Sequence, residues 1–276
     1  MDNNWIVENL NNAFSTWNDK LSELWSLVTT SPATFKGGAV WGVMQTIHGT
    51  MLAIGYALVI LFFAMSLCKN TANFHELKRP EAALHYLIRF VAAKAAVGYG
   101  MDIMLKVFEV CNGIVSEMAS SMGGISQAMV SLPGEVQTAI ENVGFLASIP
   151  LWLVTILGSL FITVLSFIMI LTVYGRFFRL YMYTALAPIP LATFAGDSTQ
   201  SVGIAFLKTY VGVCMEGAVI VLACIIYAGF VGTPAVASGE ATTMVWSYLA
   251  ETVFNMLVLV GLIKGSDRII HEMMGL

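Results

Sequence analysis

Residues 144–174 read GFLASIPLWLVTILGSLFITVLSFIMILTVY, and this run of 31 residues contains no charged side chain. A helix of that length rises about 46 Å at about 1.5 Å per residue. The hydrocarbon core of a bilayer is only about 30 Å thick. The run is therefore long enough to cross a membrane, and we expect the helix to tilt or to project beyond the core.

The rest of the chain has the same apolar character. Of its 276 residues, 58% are apolar and 11% are charged, with a mean hydropathy of +0.80. A soluble domain carries about 25% charged residues. The net charge of −4 argues against a basic nucleic-acid-binding surface as the main feature. Four cysteines form no C-x-x-C pair and are interpreted as buried thiols: Cys68, Cys111, Cys214 and Cys224. The composition therefore predicts an all-α integral membrane protein.

Two more apolar stretches precede this run along the chain, and two follow it. They cover about residues 39–67, 82–113, 202–231 and 244–263. Each is long enough to cross the bilayer. We therefore expect about five transmembrane helices.

The first 36 residues follow a different pattern. Apolar side chains recur every three or four residues, as on one face of a helix: Ile6, Leu10, Phe14, Trp17, Leu21, Leu24 and Val28. Tryptophan rings such as Trp5, Trp17 and Trp25 favour a membrane–water boundary. We therefore predict two domains: an extracytoplasmic amphipathic helix at 1–36 and a polytopic membrane domain at 37–276. The helix would use Trp5, Trp17, Leu21 and Trp25 to contact the outer leaflet or a partner.

Orientation in the membrane follows from the basic residues, which favour the cytoplasmic side. Eight of them flank three connections or tails: Lys69, Lys78, Arg79, Arg176, Arg179, Lys208, Lys264 and Arg268. The connections at 114–143 and 232–243 contain no Lys or Arg. This distribution predicts an extracytoplasmic N-terminus and a cytoplasmic C-terminus.

One apolar segment is predicted not to cross. Arg179 and Lys208 belong on the same side, so residues 180–196 between them would form a re-entrant or interfacial helical hairpin. Pro188 and Pro190 lack backbone donors and would break the hairpin. Irregular backbone at membrane depth is tolerated only when protein or water shields it, so this segment indicates a pore or an assembly centre.

The span at 82–113 carries charges on one face. Lys94, Asp102, Lys106 and Glu109 fall within an arc of about 120° on a helical wheel. Asp102–Lys106 and Lys106–Glu109 have the spacing of helical ion pairs. A charge facing lipid at the bilayer centre costs about 2.5–3.5 kcal/mol. Three interpretations stay open: an internal salt-bridged stripe, the wall of an aqueous passage, or a segment lying partly outside the bilayer.

Two further carboxylates lie in apolar spans. Glu216 and Glu251 must face protein or water for the same energetic reason. They could relay protons, or they could pair with Lys94 or Lys106 of a neighbouring helix.

Signals for catalysis are weak. The four histidines are scattered, with no metal-site spacing, and there is no G-x-S-x-G elbow or glycine-rich phosphate loop. We expect no enzyme activity, no catalytic or metal site and no cofactor, although bound lipid is compatible with the sequence. An intramembrane protease is a formal alternative.

The end of the long apolar run resembles a known family. Residues 174–181, YGRFFRLY, and 185–192, ALAPIPLA, are similar to the TrbL family, which includes the sixth VirB-type subunit of type IV secretion and conjugation machines. The resemblance extends over residues 144–264. It implies a subunit of a ring-like homo-oligomer in the cytoplasmic membrane, around a passage for DNA or protein. Other secretion subunits, ATPases and the lipid bilayer would be its partners, and the substrate would bind only transiently.

Two other functions remain as alternatives. The chain could be a stand-alone small-molecule or ion transporter that uses Asp102, Glu216 or Glu251 as a coupling site. It could also be a structural platform that nucleates an extracytoplasmic stalk through its N-terminal helix.

Overall fold

A computed structural model describes residues 4–71, 80–121, 129–230 and 241–275, and within these ranges the chain is helical and contains no strand. The α-helices of the described ranges are α1 (Asn4–Thr29), α2 (Ala39–Thr71), α3 (Pro80–Gly98), α4 (Gly100–Ser121), α5 (Gly134–Glu141), α6 (Phe145–Leu186), α7 (Pro188–Ala192), α8 (Gln200–Phe230) and α9 (Ala241–Met274). Short 3₁₀ turns lie at Phe35–Gly38 and Thr193–Ala195. The basic residues Lys78 and Arg79, used above for orientation, lie outside the described residues.

Within the described ranges, four helical segments are long and apolar enough to cross a membrane: Phe35–Lys69, Ser148–Leu186, Gln200–Gly229 and Ala241–Met274. The prediction of an all-α membrane protein is confirmed. The predicted span at 82–113 is not among the four, because it is divided between α3 and α4 at Tyr99 and its charges lower the hydropathy.

Helix α6 is longer than predicted. Its 42 residues rise about 63 Å, and it continues past Tyr174 to Leu186. Arg176 and Arg179 therefore lie inside α6 and do not begin a separate broken segment. The helix is interrupted at Ala187, directly before Pro188, as the prolines predicted. Residues 180–186, which were predicted to belong to the hairpin, belong to α6.

The described parts of residues 1–29, 115–175 and 217–266 form one compact unit, called unit 1 below. Its core contains the apolar face of α1, all seven predicted residues of which are at most 2% exposed. Helix α1 contacts α5, and Phe14 lies edge-on to Tyr248 of α9, with ring centroids 6.4 Å apart. The apolar face of α1 is thus covered by its own chain.

This burial corrects the expectation of a surface helix. Trp17 and Leu21 have no exposed surface, so they cannot contact the outer leaflet or another protein. Trp25 is partly buried, and Trp5 is 46% exposed. The helical spacing had predicted the buried face correctly but could not show what covers it.

Residues 30–114, 176–216 and 267–276, where described, form the second compact unit, called unit 2. Helices α2 and α3 pack against α7 and the 3₁₀ turn that follows it. The apolar core of the unit includes Val59, Val97, Phe108, Leu191 and Tyr210. The proline-broken segment therefore lies in the middle of this packing arrangement.

Candidate functional site

The helix break after α6 is stabilised by a side chain from α2. Pro188 has no amide hydrogen, so it cannot bond the carbonyl of Thr184 four residues earlier. The imidazole of His48 supplies the missing donor, with its Nδ1 lying 2.8 Å from the Thr184 oxygen. Both residues are buried, at 4% and 1% exposure. A buried carbonyl thus keeps a partner despite the proline.

Close packing of α2 against α7 depends on a glycine. A Cβ on Gly55 would lie 2.9 Å from the Cβ of Pro188 and 3.0 Å from its carbonyl oxygen. Real side chains do not approach this closely, so only glycine allows the two backbones to meet here. His48 and Gly55, two turns apart on α2, therefore both contact the broken segment.

An arginine of α3 holds the chain that leaves the break. Arg89 Nε donates to the carbonyl of Phe194 at 3.0 Å, and its Nη2 donates to Gln200 Oε1 at 2.5 Å. Arg89 also forms an ion pair with Asp197, whose Oδ2 accepts a hydrogen bond from Ser66 Oγ at 3.0 Å. These contacts join α2, α3 and the turn before α8.

A partly buried charge network lies near the end of α6. Arg179 Nη2 donates to both carboxylate oxygens of Glu216, at 2.8 and 2.7 Å. Arg179 Nη1 is paired with Asp267, and Asp267 lies 3.6 Å from Nε2 of His271. Glu216 is only 1% exposed. The network connects α6, α8 and α9 within unit 2.

A second arginine extends the network into the core. Arg176 is fully buried, and its guanidinium carbon lies 5.9 Å from the ring centroid of Phe108 and 5.8 Å from that of Phe177. Phe177 stacks on Phe35 with centroids 4.0 Å apart, and the charge of Glu216 acts on Arg176 as well. Aromatic faces and a carboxylate together compensate the buried cation.

The structure thus assigns Glu216 a partner that the sequence did not indicate. Lys94 and Lys106 were the expected partners, but Arg179 fills that role. Five of the predicted site residues come together in unit 2 as two groups: Arg176 and Arg179 with Glu216, and Pro188 with Pro190.

The charged face of α3 and α4 is directed away from the core of unit 2. Lys94, Asp102, Lys106 and Glu109 are all exposed. Lys106 Nζ donates to Glu109 Oε2 at 2.7 Å, so the predicted i,i+3 pair forms, and the charge of Asp102 acts on Lys106 without a direct ion pair. These four residues are called the α3–α4 charged stripe below.

Glu251 lies apart from these groups. It is exposed on α9 in unit 1, one turn before the buried Asn255. Over residues 4–71, 80–121, 129–230 and 241–275, no three His, Cys, Asp or Glu side chains come close enough together to hold a metal ion.

Sequence reasoning missed two residues that contact the broken segment, His48 and Arg89. His48 had a visible signal: it is the only His, Lys, Arg, Asp or Glu in the stretch 39–67, and a proline in a helix, such as Pro188, leaves a carbonyl four residues earlier in need of a donor.

Comparison with known proteins gives one match. A family model described as TrbL/VirB6 plasmid conjugal transfer like protein matches residues 17–188. The match runs from the middle of α1 to Pro188, the first residue of α7. No curated protein and no solved structure matches the chain.

Proposed function

Because the chain belongs to the TrbL/VirB6 plasmid conjugal transfer-like family, we propose that it is a multi-pass subunit of a type IV secretion machine that assembles with copies of itself around a substrate passage. Family membership implies a component of conjugal transfer. The self-association and the passage are our proposal.

The α3–α4 charged stripe is the observation that carries this proposal. It contains two cations and two anions, all exposed, on a chain whose neighbouring exposed surface is apolar: Leu87, Ile88, Val91, Val110 and Ile114 are each at least 45% exposed. Charges facing lipid are unfavourable. An alternating stripe can instead meet the same stripe of a second copy with opposite charges paired.

The remaining parts of the proposal concern partners and orientation. No phosphate-binding loop occurs in the sequence, so the energy for transfer would come from separate ATPases. The distribution of Lys and Arg favours an inner-membrane protein with its N-terminus outside and its C-terminus in the cytoplasm, which requires one crossing besides the four candidate spans. The broken segment, packed against α2 and α3, would supply a rigid centre for each subunit.

Charge reversal in the stripe tests self-association. The change Asp102→Lys places three cations in the stripe, and we expect the oligomer in detergent to dissociate at a protein concentration at least tenfold higher than the native one does, because like charges then face each other. Transfer frequency in cells should fall with it. The measurement is oligomer mass as a function of protein concentration.

The matched control is Arg268→Asp on α9, where Arg268 belongs to an exposed pair with Glu272 outside the stripe. It should leave oligomer mass unchanged. A native oligomer in Asp102→Lys, or a monomeric native protein, would contradict the proposal.

A further inference from the structure

Helix α1 runs parallel to the first part of α6 within unit 1. Trp5 lies beside Trp152, with ring centroids 6.2 Å apart, and Asn9 Nδ2 donates to Ser159 Oγ at 3.2 Å. Further along, Tyr174 OH donates to Glu23 Oε1 at 2.7 Å. Residue numbers rise together in both helices. Helix α1 therefore accompanies α6 from Trp152 to Tyr174.

This part of α6 has the length and surface of a membrane-spanning segment. Its exposed side chains are apolar: Leu153, Leu157, Leu160, Phe161, Val164, Phe167 and Leu171. Exposed tryptophans, Trp5, Trp152 and Trp246, lie at its beginning, and such rings favour the membrane–water boundary. From Trp152 to Leu171 the helix rises about 28 Å, close to the thickness of the hydrocarbon core.

At the same depth, the outer face of α1 is polar. Its exposed side chains recur every three or four residues and form what we call the α1 polar stripe: Glu8, Asn11, Asn12, Ser15, Asp19 and Ser22. Carboxylates and amides are unfavourable against lipid. The stripe must therefore face protein or water.

The groove between α1 and α6 lies beside the stripe and has a mixed lining. It has a volume of about 390 Å³, and Ala13, Ile156 and Leu160 line it together with hydroxyl and amide groups from both helices: Asn9, Asn12, Thr16, Ser159 and Thr163. The groove between α6 and α9, in contrast, has a volume of about 210 Å³ and only apolar residues and glycine in its lining, among them Val154, Phe161 and Leu249. Of the two grooves, the one beside the stripe thus offers hydrogen-bonding groups to water.

We propose that the α1 polar stripe lines a water-filled passage at bilayer depth, with a wall that attracts cations. Water is the occupant that fits the stripe, and the hydroxyl and amide groups of the adjoining groove can bind it as well. Glu8 and Asp19 carry negative charge, while the single basic residue of α1, Lys20, is paired with Glu23 at 2.6 Å. The link between this passage and substrate transfer rests on the proposed function above; the hydration of the stripe does not.

Cysteine accessibility tests the passage in the full-length protein in right-side-out membrane vesicles. The exposed native thiol is removed first by Cys68→Ser. Ser15→Cys on the stripe and Val164→Cys on the apolar face of α6 are then compared, using a permanently cationic and an anionic methanethiosulfonate reagent. We expect Ser15→Cys to react at least tenfold faster than Val164→Cys, and several-fold faster with the cationic reagent than with the anionic one.

Asp19→Asn in the Ser15→Cys background should reduce the preference for the cation, because one wall charge is lost. Equal, fast reaction at both positions would place this part of α6 in bulk water and overturn the inference. Equally slow reaction at both would show that lipid or protein covers the stripe, with the same consequence. If the oligomer is intact, either of these results contradicts the passage and leaves the proposed function standing. A monomeric protein with a reactive stripe would contradict the proposed function and leave the passage standing.

Discussion

At the scale of single residues, the pairing of Arg179 with Glu216 has the features of a buried salt bridge. Glu216 is 1% exposed and the Arg179 side chain 27%, and two hydrogen bonds join them. Removing both charges of such a pair is often tolerated, but removing one partner leaves an uncompensated charge in a poorly solvated place. The network is therefore sensitive to the loss of a single member.

We predict that Glu216→Ala lowers the free energy of unfolding by about 3 kcal/mol, because Arg179 and Arg176 lose their buried counter-charge. Thermal unfolding of the purified protein in detergent measures this. Glu216→Gln should be milder, since it keeps the shape of the side chain. Arg268→Ala serves as control, because Arg268 and Glu272 are 86% and 66% exposed and such pairs contribute little. Equal losses for Glu216→Ala and Arg268→Ala would show that burial does not decide the effect.

At the scale of helices, α2 and α7 pack closely at Gly55 within unit 2. Gly55 allows it, and His48 satisfies the carbonyl that the proline exposes. The same helix carries Gly49, around which a Cβ would meet nothing within 4 Å. Close packing therefore requires glycine at position 55 of α2 but not at position 49.

We predict that Gly55→Ala destabilises the protein by about 1–3 kcal/mol, as overpacking does, because the new methyl group must push α2 away from Pro188. Gly49→Ala should be neutral or slightly stabilising, since alanine is the better helix former. Unfolding midpoints of the two variants in the same detergent give the comparison. The prediction fails if Gly55→Ala is as stable as Gly49→Ala.

At the scale of the whole molecule, the orientation predicted from Lys and Arg can be tested at two exposed positions, Asn142 and Met273. Asn142 lies in the connection 114–143, which has no basic residue, and Met273 follows Lys264 and Arg268. In a Cys68→Ser background, an impermeant maleimide should label Asn142→Cys in sealed right-side-out vesicles. It should label Met273→Cys only after the membrane is permeabilised. The opposite pattern would reverse the topology.

The sequence predicted the features of this molecule that depend on neighbours along the chain. The spacing of Ile6, Leu10 and Phe14 is local, and so is the missing donor of Pro188; both led to correct predictions. The partner of Glu216 lies 37 residues away on another helix, and helical spacing contains no information about it. Lys106 had helical-pair spacing to both Asp102 and Glu109, so only the side-chain geometry could choose between them.

The extent of α6 shows a different limit of sequence reasoning. Basic residues usually mark the end of a span, so Arg176 was assigned to a boundary. In the structure its charge is partly compensated inside the helix packing by Phe108, Phe177 and Glu216. Tertiary contacts of this kind reduce the burial cost that usually keeps arginine at the end of a span.

The bond between His48 and Thr184 has a consequence for synthesis. The two residues are 136 positions apart, and a ribosome that adds about 5–20 residues per second makes His48 roughly 7–27 s earlier. The chain of α2, with its imidazole and its glycine, has already been synthesised when the segment around Pro188 emerges. Because translation runs from the N- to the C-terminus, the donor His48 is synthesised before the acceptor Thr184. The Thr184 carbonyl therefore has its donor available when it enters an apolar environment.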